Sequence, residues 1–403
     1  MRQNADGKRP RYLVLTELFL PTKGGTAVWF DEVYRRVGGK GIHIVTADVP
    51  GASAHDRQNP NSVHRIALRR VRWMRPESLW MYVKLLTKAC RLALQYRFDA
   101  VHAGRVLPEG LVAWLVARIY GLPCTIYAHG EEITTWRQPV KFRAMRWVYR
   151  LADRVIANSE FTRTELLKLC VPAERITVIH PGVDLQRFRP GLLTADLRSR
   201  LGLADDHKLI VSVGRLSRRK GFDQVIRSIP SLVARGLDVH CVIIGLGEDR
   251  AYLTELAQEL GVGPRVHLLG HVDPDELPRW LNAADVFAMP NRAIDGDTEG
   301  FGMVFLEAAA CGKPVVAGLD GGTAAAVVHN ETGLRVGSQD LSQVTNALER
   351  LLRDNALART LGHAALSRVR GSFGWDRVAE ATMQLQSTTT IERHRGACTG
   401  KSS

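Results

Sequence analysis

Residues Glu299–Gly312, EGFGMVFLEAAACG, set two carboxylates, Glu299 and Glu307, on either side of a phenylalanine bracketed by Gly300 and Gly302. From Met303 onward the residues are good helix formers, up to a stop at Gly312. The stretch therefore predicts a glycine-rich turn opening a buried helix. Such a turn leaves backbone N–H groups pointing outward at the positive end of the helix, where a phosphate or a sugar hydroxyl can bind. Glu299 precedes the turn and can accept hydrogen bonds from a polyol. Glu307 lies about two turns inside the helix. An ordinary strand-to-helix junction with two surface glutamates is the alternative. Against it, Glu307 interrupts an otherwise apolar run, MVFLEAAAC, and a carboxylate buried there needs a partner.

Around this stretch the chain alternates short apolar strands with helices. Strands are expected at 12–18, 42–47, 99–103, 124–128, 154–157 and 176–179, with helices at 77–95, 108–120, 139–152 and 160–169. From His180 the segment HPGVDLQRFRPG loses periodicity and reads as a linker. A second series follows, with strands at 208–213, 239–244, 265–269, 285–289 and 314–317. The fold class is α/β: two doubly wound parallel sheets, with a ligand expected in the cleft between them and beyond the carboxyl ends of the strands. The expected division is 1–190, 191–370, a helix at 371–387 crossing back to the first domain, and a disordered polar tail at 388–403.

At 403 residues the chain is too long for one core, which fits two domains. No apolar run is long enough to span a bilayer, and the N-terminus has no secretory h-region. The six cysteines form no CxxC pair and read as reduced thiols of a cytoplasmic protein. Charge is uneven. Residues 1–190 hold 31 Lys+Arg against 16 Asp+Glu (31 − 16 = +15), and the remainder 24 against 25 (24 − 25 = −1). The net charge of +14 thus lies wholly in the first half, which implies an anionic partner.

The unusual residues follow strands. Gly214-Arg215-Leu216-Ser217-Arg218-Arg219-Lys220-Gly221 packs four cations at a helix start, an anion site by charge and helix dipole. It matches neither a Walker A loop nor a GxGxxG fingerprint. Gly245-Leu246-Gly247 suits close backbone approach to a ligand, and the backbone at Gly270-His271-Val272 suits a nucleobase edge. In the first half Lys23-Gly24-Gly25-Thr26 is a second phosphate cradle, and His129 stands at a strand mouth in AHGEE. The histidines show no metal-ligand spacing, so no metal site is expected.

Together, EGFGMVFLEAAACGKPVVAG, VGRLSRRKG, AHG, HPGVDLQRF and the Gly24-Gly25 pair resemble the family 4 glycosyltransferases of the GT-B fold, over roughly residues 11–385. The flavour is that of bacterial mannosyltransferases acting on lipid-linked acceptors. The resemblance implies a retaining, metal-independent hexosyltransferase with no cofactor, using a nucleotide-diphosphate sugar and a hydroxyl acceptor. It implies that Glu307 bonds the ribose. Glu299, with the backbone of Gly300, Phe301, Gly302 and Met303, holds the donor sugar's hydroxyls and the diphosphate, and Val304 is a further substrate-binding candidate. Arg215 and Lys220 bind the diphosphate, His129 contacts the transferred sugar, Gly25 closes over the phosphates, and main-chain groups at Val272 read the base; Gly24 and Gly245 are further substrate-binding candidates. A sugar-nucleotide 2-epimerase and a non-catalytic nucleotide-sugar-binding subunit are the alternatives.

The basic half adds a docking expectation. Residues 65–97 hold Arg65, Arg69, Arg70, Arg72, Arg75, Lys84, Lys88, Arg91 and Arg97 among Trp73, Trp80 and Tyr82. Residues 136–150 hold Arg137, Lys141, Arg143, Arg146 and Arg150 among Trp136, Trp147 and Tyr149. Cations mixed with interfacial aromatics suit the anionic inner face of a membrane, a solvated helix face being the alternative. No nucleic-acid motif accompanies the charge.

Overall fold

The computed structural model describes residues 10–68, 79–204 and 206–386. The chain divides into two compact units. One gathers the described residues up to Pro181 and resumes at Trp375; the other is Gly182–Gly374. The expected boundary at 190 therefore moves to 181, because the linker residues belong to the second unit. Val183 packs into its core, and its N–H donates to the Phe373 carbonyl at 2.8 Å. The chain's entry to that unit and its exit are thus bonded side by side. The expected tail at 388–403 lies outside the described residues.

The first unit is built on a parallel sheet of seven strands: β1 (Tyr12–Leu15), β2 (His43–Ala47), β3 (Ser62–Ile66), β4 (Ala100–Ala103), β5 (Cys124–Ala128), β6 (Arg154–Ala157) and β7 (Ile176–Val178). Their spatial order is β3-β2-β1-β4-β5-β6-β7. The central strands are buried throughout and mostly apolar, as expected where helices cover both faces. Each fully buried Leu, Ile or Val contributes about 1.5–3 kcal/mol. A helix over 375–386 completes this unit. The Gln386 Oε1 bonds both the Thr125 hydroxyl and His102 Nε2 at 3.0 Å, which fastens that helix to β5 and β4.

The second unit carries six parallel strands: β8 (Lys208–Val213), β9 (Val239–Ile244), β10 (Val266–Gly270), β11 (Val286–Met289), β12 (Val315–Gly318) and β13 (Leu334–Val336). Their order is β10-β9-β8-β11-β12-β13. Strand order reverses beside the first strand of each series, at β1/β4 and at β8/β11, where open sheets form their crevices. Among the described residues no helix is long and apolar enough to cross a membrane.

Candidate functional site

In the second unit, β8 runs into the cationic loop and then into helix Phe222–Ala234. The loop after β8 lies directly on the loop after β9. Gly214 N–H donates to the Ile244 carbonyl and Leu216 N–H to the Leu246 carbonyl, both at 3.0 Å. A Cβ at Gly245 would overlap the Gly214 carbonyl oxygen, so the two loops can stack only through glycine. The third loop joins them: Gly245 N–H donates to the Gly270 carbonyl at 2.8 Å, and half-buried Val272 packs on the core two residues further on.

This scaffold turns Arg219 and Lys220 inward, and both are buried. Lys220 Nζ pairs with a Glu299 carboxylate oxygen, and Arg219 reaches that same oxygen at 3.1 Å and Asp297 at 3.1 Å. Burial pushes the Glu299 carboxyl up, but the charges of Lys220 and Arg219 outweigh it and hold the group below its ordinary value. Arg292 braces the loop, its N–H donating to the Arg219 carbonyl at 2.8 Å while its guanidinium bonds Asp223 at 2.9 Å. Arg215, expected beside Lys220 on the same anion, is instead exposed. It makes no hydrogen bond or ion pair among the described residues, so its guanidinium is free for an incoming group. Arg219 was not singled out in the sequence; only its place in the run RLSRRKG hinted at it.

The opening stretch folds as read, except that Glu307 stands about one turn inside the helix and not two. Gly300, Phe301 and Gly302 are buried, and helix Met303–Ala310 begins at Gly302. Gly302 adopts φ 87°, and a Cβ on it would strike the Phe305 ring at 2.6 Å. No side chain caps this helix and no acid sits in its first turn. Its first internal bond is Phe305 N–H to the Gly302 carbonyl at 3.0 Å, so the Met303 and Val304 N–H groups lie ahead of it. Glu307 makes no side-chain hydrogen bond among the described residues. Burial pushes its carboxyl up to about 7 against the pull of Arg187. A carboxyl half-protonated near neutrality and lacking a partner is unusual in a settled core, and it suits a site awaiting a hydroxyl donor.

In the first unit, His129 directly follows β5 and is buried. Its Nε2 donates to the Gly104 carbonyl at 2.8 Å, which leaves Nδ1 as the acceptor. Burial lowers its pKa, with the nearby Glu132 charge pulling the other way, and the edges of Trp29 and Phe30 enclose the ring. Glu132 is absorbed structurally: one oxygen accepts the His129 N–H at 2.9 Å and the Tyr149 hydroxyl at 2.6 Å. Gly24 and Gly25 open helix Gly25–Val37, another helix start without a side-chain cap. A buried carboxyl that sequence reasoning missed is Glu109. It accepts the Glu17 N–H at 2.9 Å through Oε1, and Oε2 has no hydrogen-bond partner.

Of the basic clusters, Arg65 turns inward onto Asp56 at 2.8 Å and Tyr149 is fully buried, so neither belongs to a docking face. Arg69, Arg70, Arg72, Trp73 and Arg75 lie outside the described residues. What remains are exposed apolar side chains on helices Leu79–Gln95, Leu111–Tyr120 and Pro139–Leu151. They include Trp80, Val83, Ile119, Val140 and Trp147, with Lys84 over Trp80 and Lys141 over Trp136.

Two solved structures share this architecture, that of the GT-B glycosyltransferases. Anabaena Alr3699/HepE in complex with UDP aligns with a TM-score of 0.79 at 22% identity, over 94% of this chain and all of that one. Sucrose-phosphate synthase of Thermosynechococcus elongatus gives 0.79 at 24% identity, over 95% and 100%. The Glycosyltransferase Family 4 model matches residues 23–187, and the model for glycosyl transferases group 1 matches 194–368. A GDP-mannose-dependent alpha-(1-6)-phosphatidylinositol monomannoside mannosyltransferase of Mycobacterium tuberculosis is 34% identical over 92% of this chain and 96% of its own length. A D-inositol 3-phosphate glycosyltransferase of Catenulispora acidiphila is 33% identical over 74% of each chain. The chain belongs to the family 4 glycosyltransferases.

Proposed function

We propose that this enzyme transfers a mannosyl group from GDP-mannose to a hydroxyl of a lipid-linked acceptor, with retention at the anomeric carbon. The observation that carries the reading is the Lys220–Glu299–Arg219 cluster beside an uncapped helix start, with Glu307, which has no hydrogen-bond partner among the described residues, about one turn inside. The names of the mannosyltransferase relatives support the donor and the acceptor class. In this reading Glu307 accepts from the ribose, and Glu299 and the backbone of 300–304 hold the sugar hydroxyls and diphosphate. Gly24 and Gly25 add a backbone cradle, and Val272 and Gly245 line the base pocket.

The bond from the anomeric carbon to the diphosphate oxygen breaks as the bond to the acceptor oxygen forms. Negative charge grows on the leaving group, where Arg215 and Lys220 stabilise it, each contact contributing on the order of 2–4 kcal/mol in a dry site. The departing phosphate oxygen takes the acceptor's proton on the same face, so no carboxylate dyad of the hydrolase type is needed. Protein cations stand in for a divalent metal. His129, neutral with Nδ1 open, accepts from a sugar hydroxyl.

A thermal-shift panel of GDP, UDP and ADP tests the donor, since a ligand bound only to the native state raises its stability. GDP should give the largest shift and Lys220→Ala should remove it. No shift with any of the three would defeat the reading.

The exposed apolar side chains of the first unit, with the lysines beside them, support docking on an anionic lipid surface, which would bring a lipid-linked acceptor within reach. Flotation with vesicles containing anionic lipid should carry the protein upward and vesicles of neutral lipid should not. Equal recovery from both would end the docking idea.

A further inference from the structure

The amino ends of the second sheet, opposite the strand ends that carry the nucleotide-sugar loops, hold a row of histidines. His207 precedes β8, His240 is the second residue of β9, and His267 the second of β10. Their rings stack in sequence, with centroids 5.0 Å apart at 12° between the first two and 5.6 Å at 14° between the next. Asp238, just before β9, faces the row. Its carboxylate lies 3.4 Å from His207 Nε2 and 3.7 Å from His240 Nε2.

We propose that His207, Asp238 and His240 bind a divalent transition-metal ion of the zinc type, as a structural clip across the starts of β8 and β9. Ligand bonds of 2.0–2.1 Å in a tetrahedral site set neighbouring donor atoms about 3.3 Å apart. Of the two histidine–aspartate separations, each to a different carboxylate oxygen, that of His207 already lies close to this spacing and that of His240 is slightly longer. The three donor atoms all fall within 4.8 Å of one another, so a small turn of the partly exposed His207 ring completes the triangle. The fourth position faces solvent and takes water.

The surroundings fit this role. His267 Nε2 lies 3.4 Å from His240 Nδ1 and can fix that ring's orientation from behind. Arg265 pairs with Asp238 and holds the carboxylate in place beside the rings. His207 must change partner. Its Nδ1 now faces the Ala204 N–H at 3.3 Å, a long contact that is given up as the ring proton moves from Nε2 to Nδ1 and Nε2 takes the ion. Two imidazoles and one carboxylate favour zinc, nickel or copper over magnesium or calcium. The position at the amino ends separates the site from glycosyl transfer, so the proposal stands apart from the reading of the donor site.

The test uses the full chain, stripped of metal by a chelator and titrated with Zn²⁺ at pH 7.5 against a chromophoric competitor. The wild type should bind one tight equivalent, and its melting temperature should rise with Zn²⁺. His240→Ala and the more conservative Asp238→Asn should each weaken binding at least tenfold and remove the rise. His64→Ala, which breaks the other close imidazole pair, His43–His64 at 3.0 Å, should leave binding unchanged. Failure of the wild type to bind, survival of binding in His240→Ala, or its loss in His64→Ala would each overturn the proposal.

Discussion

The carboxyl ends of the two sheets solve opposite electrostatic problems. In the second unit the ionisable groups are charged and balance one another, with Glu299 held ionised by Lys220 and Arg219. In the first unit burial acts unopposed by strong pairing. His129 is held neutral, and burial pushes the Glu109 carboxyl up to about 7. A leaving diphosphate needs preorganised charge, whereas a neutral sugar needs polar atoms that do not repel or trap it. The difference teaches that similar folds divide the work through what surrounds each titratable side chain, not through the strands themselves.

The hardest blow to this contrast falls on Lys220. Lys220→Ala should lower kcat by about 10²–10³, the usual cost of removing one group that stabilises developing negative charge. Arg219 would remain to hold Glu299 at 3.1 Å, so the unit should still fold. Turnover measured under saturating GDP-mannose checks this. A loss below threefold would mean that the paired cations serve packing and that the charge contrast has no catalytic content.

Glu307 is the exception within the charged rim, and it sharpens the comparison. If Glu307 holds the ribose as proposed, its carboxyl, raised to about 7, accepts both ribose hydroxyls only when ionised, so donor affinity should rise with pH through 7 and level off above it. From pH 6 to 8 the gain should be about tenfold, following the ionised fraction. GDP-mannose is the probe, because its diphosphate does not titrate in this window. Glu307→Gln should bind more weakly at pH 8 and show a flat profile. A wild-type profile without slope would mean that the donor does not engage this carboxyl.

Much of this was legible in the sequence because the strands are short apolar runs and the glycine turns follow them. β3 was missed for a physical reason: SVHRI is a half-buried edge strand, and its polar residues hide it. β13 has only three residues and offers too little pattern to read. The pair Glu299 and Glu307 could be picked out, but their opposite electrostatic fates could not. Those depend on Arg219, some 80 positions away from Glu299, and on the lack of a hydrogen-bond partner for Glu307 among the described residues. Arg65 shows the converse: it reads as part of a basic surface until Asp56, nine positions earlier, is seen to claim it.

The smallest expected effect concerns Glu109 and reads stability rather than catalysis. In the unfolded chain this carboxyl loses its proton near its ordinary value, while in the folded unit it keeps the proton until about pH 7. Between those values the native state binds more protons than the unfolded state. Stability therefore falls as pH rises through that window and is flat above it. The span amounts to about 3 kcal/mol at most. Glu109→Gln keeps an oxygen for the Glu17 N–H, has no proton to lose, and should melt with a flatter pH dependence from pH 5 to 8. The comparison is made on the ligand-free protein. If wild type and variant run parallel, Glu109 carries no raised pKa, and the neutrality of the first rim rests on His129 alone.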